Sequence, residues 1–145
     1  MSFAHKKKPI LVVDTSTLLS ACIYPQRRPA LALAWALRHG VLVGSEATFA
    51  EAADVLMRAH FERWRAKQDR EIFVASYRAS LKFIEVTAEV TDCRDTNDNK
   101  FLSLAITASA DIVLASDPDL LVLHPYNAIE IVGVNDFLER IDSSV

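Results

Sequence analysis

Four acidic residues stand where a carboxylate could act on a substrate: Asp14, Glu51, Asp98 and Asp117. Asp14 follows the apolar run Ile10 to Val13, and Asp117 follows the run Asp111 to Ala115. If both runs are strands of one open α/β sheet, both acids lie at strand carboxyl ends, where such sheets bind ligands. Each also has a structural explanation. Asp14 could cap a helix that begins near Thr17, and Ser116 or Asp117 could cap a short helix started by Pro118. Asp98 is more informative, because the helix expected after it is apolar at Phe101, Leu102, Ala105 and Ile106, and Asp98 lies one turn before Leu102 on that face. An inward carboxylate is costly to desolvate unless it is paired, hydrogen-bonded or bound to a cation. The helix dipole offers a first-turn acid only about 0.3–1 kcal/mol, so a metal site explains Asp98 better. Asp95 fits a cap or turn ahead of the same helix. Glu51 stands one turn before Val55, beside Ala52, Val55 and Leu56. Taken alone it reads as a surface acid, or as part of a capping box with Thr48, more readily than as a ligand.

Carboxylates that converge in one pocket repel each other and do not all stay ionised without a cation. Mg²⁺ or Mn²⁺ is the expected cofactor, with Asp14, Asp98 and Asp117 as ligands, since hard ions prefer oxygen and keep bound waters. That chemistry suits hydrolysis of a phosphodiester. The rest of the composition offers no competing site. The 4 histidines are scattered, and Cys22 and Cys93 form no C-x-x-C pair or zinc spacing. Both cysteines are expected to be buried thiols.

The elements that must position these acids alternate along the chain. Ile10 to Val13, Val41 to Val43, Phe83 to Val86, Asp111 to Ala115 and Ile129 to Val132 read as five strands. Between them Thr17 to Ile23, Ala30 to Arg38, Glu46 to His60, Asp69 to Leu81, Asn97 to Ser109 and Asn135 to Ile141 have helical apolar spacing. Alternation of this kind predicts a parallel sheet covered on both faces, hence a three-layer α/β/α domain. The basic residues 1–8 read as a loose polar arm, and 9–145 as a single domain.

With 145 residues, one core that buries about two-thirds of the unfolded surface is sufficient. A hydrophobic fraction of 51% excludes disorder, yet no apolar run reaches membrane-spanning length. The run after Lys6, Lys7 and Lys8 stops at Asp14, too soon for a signal peptide, so a cytoplasmic chain is expected. The net charge of −3 supplies no global attraction for nucleic acid. Basic residues nevertheless crowd Arg58 to Arg70, a stretch equally read as a solvated helix face or as a phosphate contact.

Four segments together resemble the PIN-domain family. Val12 to Leu18 is similar to its first motif, a strand followed by Asp and Thr or Ser, and Glu51 to Leu56 to its second. Cys93 to Ala105 is close to the corresponding segment of VapC-like toxin components of toxin–antitoxin systems, although Asn97 stands where that subgroup has a further Asp. Leu114 to Leu121 resembles the fourth motif, in which Asp117 is favoured over Asp119 as the last acid. The resemblance covers about Pro9 to Leu138. It implies strand order 3-2-1-4-5, cleavage of single-stranded RNA with Mg²⁺ or Mn²⁺, frequent homodimers and an antitoxin partner. It also places Ser16 beside Asp14 as an orienting hydroxyl. Two other readings remain: a non-catalytic PIN-like module that binds RNA or protein, and a haloacid-dehalogenase-like phosphatase. The latter lacks its second Asp, whose place Ser16 holds.

Overall fold

The computed structural model describes residues 8–143, so most of the expected basic arm lies outside the described residues. In chain order the elements are β1 (Ile10–Val13), α1 (Thr15–Ile23), α2 (Arg28–His39), β2 (Val41–Gly44), α3 (Glu46–Leu56), α4 (Lys67–Ser80), β3 (Lys82–Phe83), α5 (Asn99–Thr107), β4 (Ile112–Leu114), α6 (Pro118–Leu121), β5 (Glu130–Val132) and α7 (Val134–Ser143). All neighbouring strands pair in parallel, in the order β3-β2-β1-β4-β5. This is the expected α/β/α architecture.

Period-two alternation explains why the central strands β1, β2 and β4 carry no charged residue. Leu11, Val13, Leu42, Ile112, Leu114 and Val132 pack against α1, α2, α3, α4 and α7 on one face. Val12, Val43, Val113 and Ile131 pack against α5 and α6 on the other. With both faces covered, every strand position favours an apolar residue. Gly40 sits where the chain enters β2, and a Cβ there would collide with Leu11 Cδ1 and lie 2.8 Å from Pro9 O. Only glycine lets these groups approach so closely.

Most boundaries shift by one or two residues from the sequence reading, and three elements depart from it further. The third strand ends at Phe83 instead of continuing to Val86, because its partner β2 stops at Gly44, whose carbonyl takes the last ladder bond from Ile84 N. Ile84, Val86 and Val90 still pack against the core, which explains their strand-like alternation. Beyond them the extended chain runs along α5, whose side chains satisfy its backbone. Thr107 Oγ1 accepts from Thr87 N and Ala88 N, Ser103 Oγ from Val90 N, and Asn99 Oδ1 from Cys93 N. These acceptors are spaced four apart, as one stripe of a helix must be. The third helix ends at Leu56 rather than His60, giving way to a 3-10 turn at Ala59–Arg63. The fifth divides into a 3-10 turn at Thr96–Asp98 and α5, which closes where Ser109 adopts a left-handed φ of 52° and Ala110 N bonds Ala105 O.

Candidate active site

The strand order reverses between β1 and β4, and the acids gather at the carboxyl ends of those two strands. Asp14, Ser16, Glu51, Asp95, Asp98 and Asp117 line one cleft of about 240 Å³, together with Thr15, Val55, Arg58, Asn97 and Phe101. Four separate regions of chain therefore converge on it.

Asp14 is only 2% exposed. Its Oδ1 accepts from Thr17 N at 2.9 Å, capping α1, while its Oδ2 accepts from Ser116 N at 2.9 Å and Asp117 N at 3.3 Å. It is thus both a helix cap and the link between the two strand ends. Burial raises its pKa, and these hydrogen bonds to the ionised form oppose that rise.

Asp98 is 9% exposed and, as its helical position implied, turns inward. It is hydrogen-bonded to Asp117, and its Oδ2 is buried without a partner. Desolvation first, then the Asp117 carboxylate, and then Asp95 and Asp14 push its pKa up to about 8. Asp117 moves the other way. The hydrogen bond from Asp98 lowers its pKa, as do the Asp119 N–H that it accepts at 2.9 Å and the nearby Arg94 guanidinium. The two carboxyls behave as a pair that holds one proton between them.

Glu51 is half-buried and fixed at both oxygens. Lys100 Nζ lies 2.7 Å from Oε1, and the Thr15 hydroxyl donates to Oε2. The capping box of α3 is made by Ser45 and Thr48 instead, which leaves Glu51 to face the cleft. Asp95 caps the 3-10 turn through Asn97 N at 3.0 Å, as the sequence suggested, but it also borders the cleft. Asp119 turns to Arg94, at 2.8 Å. Among the described residues, Asp95, Asp117 and Asp119 bring carboxylate oxygens within 4.8 Å of one another, so the tightest acidic triplet shares only Asp117 with the expected ligand set.

The sequence matches the family model of the PIN domain over residues 10–119. The chain belongs to the PIN-domain family. Two solved structures share its fold. One is a chain from VapBC2 of Rickettsia felis, solved bound to a DNA fragment from their promoter, with 14% identity and a TM-score of 0.59, covering 86% of this chain and 98% of that one. The other is PAE2754 from Pyrobaculum aerophilum, with 16% identity and a TM-score of 0.63, covering 98% of this chain and 96% of that one. At these identities the likeness is one of fold. No curated protein sequence matches.

Within this PIN domain several residues that brace the cleft were given no such role by the sequence reading. Thr15 and Lys100 reach Glu51 across 36 and 49 residues of chain. Thr17 Oγ1 lies 2.7 Å from Ser116 Oγ, joining the ends of β1 and β4. Ser16 is exposed at the cleft, and the hydrogen bonds that hold Asp14 come from the Thr17 side chain and from the backbone N–H groups of Thr17, Ser116 and Asp117. Arg58, the basic residue of the lining, belonged to a stretch whose role the sequence left open.

Proposed function

We propose that this chain is a divalent-metal-dependent endoribonuclease that hydrolyses single-stranded RNA at the acidic cleft, and that it is the toxin of a toxin–antitoxin pair. The observation that carries the metal-dependent reading is the buried, unpartnered Oδ2 of Asp98 beside a carboxyl–carboxyl contact with Asp117. A buried oxygen of this kind favours a cation, and displacement of the shared proton would free two oxygens together. These donors fit Mg²⁺ or Mn²⁺, which prefer carboxylates and water. Asp98, Asp117 and Asp14 are the proposed ligands, with Asp95 or Asp119 close enough to join. When bound, the ion supplies charge that activates a water and stabilises the phosphorane-like transition state.

The protein's own groups do the positioning. Thr15 and Lys100 hold Glu51 at the cleft, where it can orient or deprotonate the attacking water. Ser16, at the cleft surface, is placed to contact a substrate phosphate. The phosphatase reading finds less support, because Ser16 stands where that family has its second Asp. The toxin assignment draws support from family membership and from the fold shared with a VapBC2 chain. A cognate antitoxin, a homodimer and a cytoplasmic location complete the proposal. No helix among the described residues is long and apolar enough to cross a membrane.

Incubating a fluorescent single-stranded RNA with the purified protein tests the activity. Cleavage with Mn²⁺ that EDTA abolishes is the expected result. RNA binding without cleavage under every divalent condition would establish the binding-only reading instead.

A further inference from the structure

We infer that the connection between α3 and α4, residues 57–66, is a platform for single-stranded RNA, with Arg58 gripping a phosphate at the cleft and Trp64 stacking a base beyond it. This rests on the ribonuclease reading and names the residues through which the strand would reach that site.

Among the described residues, Arg58 is the one cation that lines the acidic cleft. A polyanion entering that cleft needs such a group. Its present partner, Asp54, lies 3.3 Å away in an exposed i,i+4 pair, an interaction weak enough to exchange for a phosphate. Further along, Trp64 is 49% exposed, with its ring centroid 6.2 Å from those of Phe61 and His60. The Arg63 guanidinium sits 4.9 Å over the Trp64 ring. Exposed rings interleaved with guanidinium groups are suited to stack bases of any sequence, while the cations track the backbone.

Local charge favours the same occupant. Arg58, His60, Arg63 and Lys67 are exposed, whereas the intervening Glu62 is engaged by Arg70 and by Lys67 N. The platform is therefore cationic on a chain whose net charge is −3. It is also held rigid from beneath. Arg70, 1% exposed, donates to Leu56 O at 2.8 Å, Arg58 O at 3.1 Å and Arg65 O at 3.0 Å, and pairs with Glu62 at 2.9 Å. Burying a guanidinium is unfavourable unless its donors find partners. Here it fixes a solvent-exposed connection in place, which suits preorganised recognition. A second copy of the chain is the less favoured occupant, since two exposed leucines, Leu31 and Leu37, lie on α2 instead.

The test uses a 12-residue oligouridylate in EDTA, read by intrinsic fluorescence of the full chain, which contains Trp35 and Trp64. RNA should quench the wild type and W35F but not W64F. W64A should weaken binding by roughly 5- to 100-fold, the range for loss of one stacked base. R58Q and R63Q should each reduce the salt slope by about 0.7. Unchanged quenching in W64F together with wild-type affinity in W64A overturns the platform, as does a change of oligomeric state in W64A with RNA affinity intact. If the wild type cleaves RNA with Mn²⁺ but the variants bind normally, the platform fails and the ribonuclease reading stands. If binding shows the expected pattern and no divalent ion supports cleavage, the reverse holds.

Discussion

Asp98→Asn should make the metal-free protein more stable at neutral pH and flatten its dependence on pH. Folding raises the Asp98 pKa from 3.8 to about 8, so between these values the native state binds more protons than the unfolded chain. Stability must then fall as pH rises through that window, by at most about 1.4 kcal/mol per pH unit for one proton. Asp14 is raised as well and adds to the slope. Asp117 does not, because its pKa is lowered and its linkage lies below pH 3.8. Between pH 4.5 and 7.5 the wild type should lose on the order of 3 kcal/mol that the variant retains. The side-chain amide introduced by the substitution can also donate to Asp117 without needing a proton. Urea unfolding in EDTA at several pH values measures this directly. The two proteins should be nearly equal in stability at pH 4.5 and diverge towards pH 8. Parallel curves, or a variant less stable at pH 7.5, would refute the inward, proton-sharing geometry of Asp98.

Mn²⁺ or Mg²⁺ should raise the melting temperature, by the equivalent of about 2.7 kcal/mol at a hundredfold excess over Kd, and more strongly at pH 8 than at pH 6 because a proton must leave the pair. No shift at either pH would speak against a preformed site. Asp98→Asn should lower the cleavage rate by orders of magnitude while Asp95→Asn, which preserves a capping side chain, should change rate and stability much less. The reverse order would show that Asp95 supplies the third acid. Thr15→Val should lower kcat with KM little changed and reduce stability by about 1 kcal/mol, since it releases one of the two groups that hold Glu51. Arg70→Met should shift the urea midpoint by the equivalent of about 3 kcal/mol, because it removes a donor from three backbone carbonyls and from Glu62.

What can be read in the sequence is whatever local pattern determines. A parallel sheet buried on both faces forces apolar strands, and the spacing around Leu102 is by itself enough to aim Asp98 inward. Asp117 as the cap of a short helix is legible from Pro118. Interactions across long stretches of chain are not. Nothing local shows that Arg70 is buried, since it lies among exposed basic residues and its burial depends on carbonyls 5 to 14 residues away. That same guanidinium takes the Leu56 carbonyl and helps end α3, whereas apolar periodicity alone carries the helix to His60. The end of β3 is hidden for a similar reason, being set by where β2 turns into Ser45. Glu51 looks like a surface acid because Thr15 and Lys100, which hold it, are remote in sequence.

The chemistry of the RNA ends after cleavage provides the most direct test. A 5′-labelled single-stranded RNA is incubated with wild type and with Asp98→Asn, in Mn²⁺ and in EDTA, and the products are resolved by their terminal groups. Attack by an activated water that breaks the P–O3′ bond leaves a 5′-phosphate and a 3′-hydroxyl. Those ends should form with Mn²⁺ and the wild type alone. Cleavage that persists in EDTA, survives Asp98→Asn and leaves a 2′,3′-cyclic phosphate would mean attack by the RNA's own 2′-hydroxyl, and would contradict metal-dependent hydrolysis at the acidic cleft.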